Sequence, residues 1–295
     1  MQKSDLTISI VNINNCSLLD KCLKSIFEKT HKANFEVFVV DNASRDGSQK
    51  MVKEKFPQVR LIENNKNLGF SAANNQVIKE SKSKYLLLLN NDTVVLEDAL
   101  DKMVEFMDKH EDAGALGCKL LNSDGTLQPS CRKFPNLLVY ILILLKLHRL
   151  FPELKILKRY FMTDFNHQET REVDQVMGAC LMMRREAIDD VGLLDEQFFL
   201  WFEEIDWCKR VKEKGGKIYF TPEAEIVHYG GKSFYKLSNL ARQREFNRSL
   251  LKYFKKHHSL FNVTVLKIIC AFSLVLSALI SPINWLNLKF EQVRS

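Results

Sequence analysis

A run of four leucines, residues 86–89, ends abruptly in Asn90, Asn91 and Asp92, and this junction constrains the fold more than any other stretch. An uninterrupted apolar run of this length predicts a strand buried on both faces, as in a parallel sheet covered by helices. In open α/β sheets, ligands bind at the carboxyl ends of the strands, where Asp92 would lie. The alternative is that the three polar residues form a turn that caps the next helix.

Short β-rich runs alternate with helical patterns through the first part of the chain. Three such runs, residues 7–12, 35–40 and 59–62, precede the leucines, and a helix-forming segment follows each of them. This alternation predicts an α/β fold built from βαβ units, with a mostly parallel central sheet flanked by helices. Right-handed crossovers place the carboxyl ends of parallel strands on one edge. The polar residues that follow the strands should therefore converge there: Asn12, Asp41, Asn67 and Asp92.

We interpret the polar residues at this edge as a nucleotide site. The carboxylate of Asp41 can accept a hydrogen bond from the N3–H group of a pyrimidine, and Gly69 lets the backbone approach a ligand closely. Asp41 could instead be an ordinary turn residue, and Asn67 a loop amide. The chain has no GxGxxG or Walker sequence, which argues against a Rossmann dinucleotide site. The candidate nucleotide-binding residues are Asn12, Asp41, Asn67, Gly69, Asn74 and Asn91.

A second concentration of chemistry lies in residues 198–210, where an aromatic cluster precedes Glu203, Glu204 and Asp206. A carboxylate beside such a cluster is partly desolvated, which raises its pKa and suits a general base. The alternative is that these acidic residues complement the dipole at a helix N-terminus. We predict Glu204 as the base, with Glu203 as the close alternative. Trp201 and Asp206 are then candidates for the acceptor side.

His228 ends a predicted strand and precedes two glycines, which leaves room for a phosphate or a metal ion. A structural histidine is the plainer interpretation. Residues 121–172 are less regular and contain an apolar run, residues 137–145, that is too short to span a bilayer as a helix. We predict that residues 121–172 form a lid or acceptor-side insertion. The apolar run could also lie on a membrane or form a buried core helix.

Residues 236–295 differ from the rest in composition, and we predict a helical, membrane-associated tail. Basic residues come first, and residues 268–288 then carry no charge. The uncharged stretch has about the length of a membrane span. A helix lying in the membrane interface, preceded by basic residues that contact the lipid headgroups, fits equally well. The alternative is a helix that packs on the domain or in a homodimer. The preceding residues, 1–235, would form the main domain.

Charge and cysteine usage limit the possible partners and the cellular location of the protein. The net charge is +7, but much of the excess lies in the tail, so we expect no nucleic-acid partner. The seven cysteines are scattered and form no CxxC pair, which fits reduced thiols in the cytosol. The N-terminus runs straight into a strand, and we expect no secretory signal peptide. The predicted location is cytoplasmic, peripheral or C-terminally anchored at the inner face of the cell membrane.

Six segments together resemble inverting glycosyltransferase family 2, which has the GT-A fold, and in particular its rhamnosyltransferase-like members. They match that pattern in order over roughly residues 7–233. The segments are residues 40–48 (VDNASRDGS), 67–75 (NLGFSAANN), 88–93 (LLNNDT), 178–185 (GACLMMRR), 202–210 (FEEIDWCKR) and 228–231 (HYGG).

The resemblance implies roles for individual residues. Asp41 corresponds to the carboxylate that holds the pyrimidine, and Glu204 to the catalytic base. Asp92 corresponds to the last position of the family's Asp-x-Asp motif, which binds Mn²⁺ or Mg²⁺, and His228 to a second metal ligand. Asn90 stands where that motif has its first Asp, so the cation site has one charge fewer.

The sequence therefore predicts a metal-dependent, inverting glycosyltransferase of cell-surface polysaccharide biosynthesis. It would move a sugar from a nucleoside diphosphate to a glycan or lipid-linked acceptor. The predicted donor is dTDP-rhamnose, from which rhamnose would be transferred, and a UDP-hexose is the alternative donor. A nucleotidyltransferase would need a basic phosphate-gripping loop near the first strand, which residues 12–15 do not supply. A third possibility is a non-catalytic scaffold that keeps the fold. Asn90 allows it, because this residue replaces the first Asp of the metal-binding motif.

Overall fold

The computed structural model describes residues 4–230 and 239–292, with side chains described as far as Leu279. The strands are β1 (Leu6–Asn12), β2 (Phe35–Asn42), β3 (Arg60–Asn64), β4 (Tyr85–Leu89), β5 (Thr93–Val95), β6 (Ala113–Leu121), β7 (Leu127–Gln128), β8 (Cys131–Arg132), β9 (Arg171–Val173), β10 (Gln175–Val176), β11 (Cys180–Arg184) and β12 (Lys217–His228). The helices are α1 (Cys16–Lys29), α2 (Ser48–Lys55), α3 (Phe70–Glu80), α4 (Ala99–Lys109), α5 (Leu137–Leu144), α6 (Leu147–Leu150), α7 (Lys155–Phe161), α8 (Arg185–Val191), α9 (Glu203–Glu213), α10 (Asn239–His257) and α11 (Leu260–Gln292).

The central sheet has the strand order β3-β2-β1-β4-β11-β6-β12-β5. Its first four strands are parallel, as the alternation of strands and helices predicts. Beyond β4 the sheet is mixed, because β11 runs antiparallel to both β4 and β6, and β5 runs antiparallel to β12. The sheet is therefore less uniformly parallel than predicted, since a strand's apolar pattern does not record its direction.

Strand β4 lies between β1 and β11 and is buried along its whole length. Its leucines alternate between two hydrophobic cores: Leu87 and Leu89 face one layer of helices, and Leu86 and Leu88 face the other. The prediction of a strand buried on both faces is confirmed. The two cores fix β4 in the sheet, so the polar residues that follow it lie at the sheet edge.

A third hydrophobic core joins the insertion to the C-terminal helices. Residues of α5, α7, α10 and α11 pack together there and against the beginning of α9. Asn247 of α10 donates a hydrogen bond to Ser273 of α11 at 2.8 Å, in a buried position. The domain boundary predicted at residue 235 lies among residues 231–238, outside the described residues, and remains a prediction.

Helix α11 has apolar residues on two faces. Val263, Leu266 and Cys270 are buried in the third core. Residues of the other face are exposed, and we refer to them as the apolar stripe of α11: Phe261, Ile268, Phe272, Val275 and Leu279. By length and composition alone, Leu260–Leu279 qualifies as a membrane span.

Candidate functional site

A cavity of about 720 Å³ opens where the polar ends of β1, β2 and β4 meet the start of α9. Most of the predicted site residues line it, although they are far apart in the chain. Those that line it are Asn67, Gly69, Asn91, Asp92, Trp201, Glu203, Glu204 and His228. A cavity of this size is typical of small-ligand sites.

Asp92 and His228 form the centre of one half of the cavity. Thr93 of β5 pairs with His228 at the end of β12, and this pairing brings the histidine beside the turn after β4. The Nε2 atom of His228 lies 3.3 Å from Oδ1 of Asp92, and both side chains are more than nine-tenths buried. These two side chains, predicted as metal ligands, therefore converge.

Gln128 of β7 orients the histidine and was missed by the sequence reasoning. Its Nε2 atom donates to Asn122 Oδ1 at 2.9 Å and to the backbone oxygen of His228 at 3.3 Å. Its Oε1 atom therefore faces Nδ1 of His228, at 2.7 Å, and requires the proton to be on Nδ1. In the neutral ring, the lone pair is then on Nε2, which faces Asp92 and the amide nitrogen of Asn90.

The donor set of this half fits a divalent cation held by few protein ligands. A carboxylate oxygen and an imidazole lone pair face each other, and an outer amide fixes the ring as at many metal sites. Asn90 contributes no charge, so phosphate oxygens of a ligand would have to supply the remaining coordination. An imidazole ligand favours Mn²⁺ over Mg²⁺.

Glu203 and Glu204 begin α9 and face the same cavity. One oxygen atom of each carboxyl, Oε2, is buried and has no hydrogen-bond partner among the described residues. Burial and the adjacent Glu204 carboxylate raise the pKa of Glu203 well above its usual value. Burial also raises the pKa of Glu204, although backbone N–H groups, including that of Gly178, and the charge of Arg132 oppose this. Both groups are thus proton acceptors of increased basicity.

The turn before α9 is strained in a way that presents these carboxylates. Trp201 and Phe202 have φ angles of 64° and 74°, in the left-handed region that side-chain-bearing residues rarely adopt. Each such residue costs about 1–3 kcal/mol. Burial of the Phe202 ring in the third core compensates, and Trp201 packs edge-on against Phe246 at 5.9 Å. The strain is typical of functional sites.

Three of the predicted nucleotide residues form a connected hydrogen-bond network. Asn91 donates to Asn12 Oδ1 at 2.8 Å, and Asn12 donates to Asp41 Oδ2 at 3.0 Å. The other oxygen of Asp41 accepts from Ser44 N and from Gln49 Nε2, both at 2.8 Å. Asp41 and Asn12 are fully buried and lie beneath the cavity surface. A base could reach the Asp41 carboxylate only where the Gln49 amide now lies.

Gly69 was expected to let the backbone approach a ligand closely. In the structure, its backbone lies close to that of Phe199 instead. With φ at +85°, a Cβ atom at this position would lie 2.5 Å from the carbonyl oxygen of Phe199. The next residue, Phe70, donates its N–H to that same oxygen at 2.8 Å. The Asn67 side chain accepts from the Gly69 N–H at 2.9 Å. Gly69 thus joins the nucleotide half of the cavity to the strained turn that carries the carboxylates.

Besides Asn12 and Asp41, two more predicted site residues do not line the cavity. Asn74 is fully buried and exchanges hydrogen bonds with Ser9 and with the backbone oxygen of Phe70. Asp206 is also fully buried and accepts from Arg210, Lys256 and His257 at 2.7–2.9 Å. Burial opposes ionisation of Asp206, but His257 and the neighbouring cations outweigh it and lower the pKa of this carboxyl. In the structure, Asp206 fastens α10 to α9.

The other half of the cavity is aromatic and contains one guanidinium among the described lining residues. Tyr140 and Tyr160 share a hydrogen bond between their hydroxyl oxygens at 2.8 Å, and Trp201 and Phe246 complete the wall. Arg132 of β8 lines the same half. Sequence reasoning missed Arg132 because β8 is only two residues long and carries no periodic signal.

Comparison with known proteins agrees with this geometry. Residues 7–192, more than half of the chain, match the family model of glycosyl transferase family 2. The chain belongs to glycosyl transferase family 2. This assignment confirms the resemblance to family 2 drawn from the six segments.

Two curated relatives are rhamnosyltransferases by name. N-acetylglucosaminyl-diphospho-decaprenol L-rhamnosyltransferase of Mycobacterium tuberculosis (strain ATCC 25618 / H37Rv) is 27% identical over 222 residues, which cover 72% of this chain and 71% of that protein. Rhamnosyltransferase WbbL of Escherichia coli (strain K12) is 26% identical over 169 residues, 55% of this chain and 61% of that protein. The family 2 protein is therefore similar to enzymes that transfer rhamnose.

Solved structures of low sequence identity share the fold. The mannosyltransferase PcManGT from Pyrobaculum calidifontis, solved in complex with GDP-Man and Mn²⁺, superposes with a TM-score of 0.59 at 17% identity. The match covers 94% of this chain and 74% of that chain. The family 2 protein accordingly has the GT-A fold predicted from its sequence.

Proposed function

We propose that this protein is an inverting glycosyltransferase that moves a sugar from a nucleoside diphosphate to a lipid-linked glycan of the cell surface. One observation carries the proposal: the Asp92–His228 pair and the unpartnered Oε2 atom of Glu204 line a single cavity. The first is suited to a diphosphate with its cation, and the second to the proton of an attacking hydroxyl. Family membership supports the same reaction class.

In this proposal, Glu204 is the general base. Its raised pKa increases its affinity for a proton, and in the described part of the chain no group forms a hydrogen bond to its Oε2 atom. The acceptor hydroxyl loses its proton to Glu204 as its oxygen bonds to the anomeric carbon, and the bond from that carbon to the diphosphate oxygen breaks. Attack opposite the leaving group inverts the anomeric centre. A positioned base typically contributes about 10²–10⁴ in rate.

Asp92 and His228 would hold Mn²⁺ or Mg²⁺, with Gln128 keeping the histidine in the ligating tautomer. When bound, the ion would offset the negative charge that develops on the leaving diphosphate. Asn91 and Asn67 would contact the nucleotide from the neighbouring wall. Asp41 would bind the pyrimidine once Gln49 moves aside.

Rhamnose from dTDP-rhamnose is the proposed donor, because two relatives are named rhamnosyltransferases. A UDP-hexose is the second candidate, since the buried Asp41 carboxylate would accept the N3–H group of uracil as well as that of thymine.

The acceptor would be presented at the inner face of the cell membrane. The apolar stripe of α11 is exposed on one side, while the other side of this helix packs on α10. Helix α10 is rich in charged residues. It therefore cannot enter the bilayer together with α11. We therefore propose that Leu260–Leu279 lies along the membrane surface and does not span it.

A donor screen with product detection by mass tests the proposal. Purified protein with Mn²⁺ should transfer a deoxyhexose from dTDP-rhamnose, or a hexose from a UDP-sugar, to a polyprenyl-diphosphate-linked acceptor. The Asp92→Ala variant should lose activity together with metal dependence. An active variant that resists EDTA would refute the cation role, and no transfer from any nucleotide sugar would refute the function.

A further inference from the structure

Arg132 lines the cavity but has no part in the transfer described above. It is half-buried. Among the side chains that the structure describes, those of residues 4–230 and 239–279, no carboxylate lies within 4 Å of its guanidinium, and no hydrogen bond from it is found. A cation partly removed from water without a counter-ion is costly, so such a group is typically kept for a ligand.

The neighbours of Arg132 place it in the aromatic half of the cavity. Its guanidinium carbon lies 5.4 Å from the centre of the Phe161 ring. Its positive charge acts on Glu204 and on the hydroxyl groups of Tyr140 and Tyr160. Arg132 therefore lines the same cavity as the proposed base, on its aromatic side.

The backbone around Arg132 is fixed on both sides. Arg132 pairs with Gln175 in the two-stranded sheet of β8 and β10. Met177 donates its N–H to the backbone oxygen of Ser130 at 2.9 Å, and Lys133 donates its N–H to that of Tyr160 at 3.0 Å. A guanidinium carried on such a frame is pre-organised, which lowers the entropy cost of binding.

The next residue, Lys133, provides a contrast. Side chains alternate along a strand, and Lys133 points away from the main cavity towards Asp174, whose Oδ1 atom lies 3.2 Å from its Nζ atom. Lys133 thus forms a salt bridge within the protein, whereas Arg132 forms none among the described side chains and influences Glu204 only from beyond salt-bridge distance. The two neighbouring cations therefore differ in whether they are available to an anion.

The surroundings indicate which anion would bind. A guanidinium binds phosphate oxygens through two parallel hydrogen bonds. The aromatic wall beside it, including Tyr140 and Phe246, belongs to the third core, whose outer surface carries the apolar stripe of α11. A phosphate group followed by an apolar chain would meet Arg132 first and then this aromatic wall.

We propose that Arg132 binds the diphosphate of a lipid-linked acceptor and so places the acceptor hydroxyl beside Glu204. The inference rests on the proposed function for the identity of the acceptor. The same phosphate chemistry is also present in the donor, whose diphosphate we assign to the Asp92–His228 half. The experiment must therefore separate the two diphosphates.

Calorimetric binding to the full-length protein separates them without any turnover. The acceptor probe is farnesyl diphosphate, and the donor probes are UDP and dTDP with Mn²⁺. Arg132→Gln should weaken farnesyl diphosphate binding about ten- to a hundredfold, the loss of a charge-assisted pair of hydrogen bonds. It should change UDP and dTDP affinity less than about twofold. Arg132→Lys keeps the positive charge but cannot form two parallel hydrogen bonds. Its affinity for farnesyl diphosphate should therefore lie between those of the wild type and Arg132→Gln.

Lys133→Gln is the matched control and should bind both kinds of probe as the wild type does. The proposal is overturned if the wild type does not bind farnesyl diphosphate, if Arg132→Gln binds it unchanged, or if Lys133→Gln loses it equally. A selective loss of UDP and dTDP in Arg132→Gln would assign the arginine to the donor instead. Because no product is measured, a donor screen without transfer would refute the proposed function and leave an Arg132-dependent diphosphate site standing.

Discussion

The Nε2 atom of His228 lies 3.3 Å from the Oδ1 atom of Asp92, at a place where β12 ends beside the turn that follows β4. The hydrogen bond from Nδ1 to Gln128 keeps the ring in this orientation. The pair is therefore held by the protein before any ligand arrives, which lowers the cost of forming the cation site.

Gln128→Leu should weaken Mn²⁺ binding, because Nδ1 loses its acceptor and the ring can rotate or change tautomer. Loss of an outer partner of a ligating histidine typically costs 10–100-fold in metal affinity. The measurement is the Mn²⁺ dependence of UDP binding by calorimetry. UDP affinity without metal serves as the internal control and should be unchanged. Undiminished Mn²⁺ dependence would show that Gln128 does not position the histidine.

Glu204→Gln should lower kcat by about 10²–10⁴, because the amide cannot accept the proton of the acceptor hydroxyl. Donor binding should be retained, since the substitution keeps the shape of the side chain. Glu203→Gln is the matched control, and its kcat should stay near that of the wild type. If Glu203→Gln loses turnover and Glu204→Gln keeps it, the base is Glu203.

Glu203 should make the protein less stable as pH rises. Burial and the Glu204 charge raise its pKa in the folded state. The folded protein therefore binds the proton more tightly than the unfolded chain, and stability is lost as pH rises from the unfolded pKa of about 4.3 through the folded value. Glu203→Gln removes this loss, so its melting temperature should exceed that of the wild type at pH 8. The difference should shrink as pH falls to about 5, and a difference independent of pH would contradict the account.

Gly69→Ala should destabilise the protein by more than the strain of a positive φ angle alone, about 1–3 kcal/mol. The new methyl group would lie 2.5 Å from the Phe199 carbonyl oxygen and would push the turn before α9 away. Gly125→Ala is the matched control, because Gly125 has a similar φ of +82° with open space around it. Denaturant melts of both variants give the comparison. Equal losses would mean that the contact with Phe199 is unimportant.

Phe272→Glu should release the protein from vesicles that contain anionic lipid. The side chain is 58% exposed in the apolar stripe, so a charge there opposes insertion into the interface without disturbing the third core. Gln58→Glu adds one negative charge at an exposed site in the loop before β3 and should leave binding unchanged. Co-sedimentation measures both variants. Equal release of the two would indicate a general charge effect, and retention of Phe272→Glu would locate the attachment elsewhere.

The leucine run shows why part of this fold could be read from the sequence. Residues 86–89 are apolar without interruption, and so short a run between polar segments favours a strand covered on both faces. The polar residues after it then had to lie at the sheet edge, which brought Asp92 and Asn91 to the cavity. The direction of β11 was not predictable in this way, because an apolar strand has the same pattern whichever way it runs.

The contacts of the site residues depended on distant parts of the chain. Asp206 was predicted on the acceptor side from its place in an acidic cluster, yet its partners Lys256 and His257 come from α10. Asp41 was predicted to face a base, yet Gln49 and Asn12 occupy its carboxylate. Neither outcome has a local sequence signal, because both depend on which helix packs over the residue.

The sequence by itself determined the fold family, the alternation of strands and helices in the first βαβ units and the identity of the residues with reactive side chains, since these follow from local periodicity and motif order. The tertiary structure decided which of those residues meet. It paired His228 with Asp92, placed Gln128 behind the histidine and left Arg132 without a salt bridge to any of the side chains that the structure describes. The physical reason is that distance and burial depend on packing between segments, and packing is a property of the folded chain as a whole.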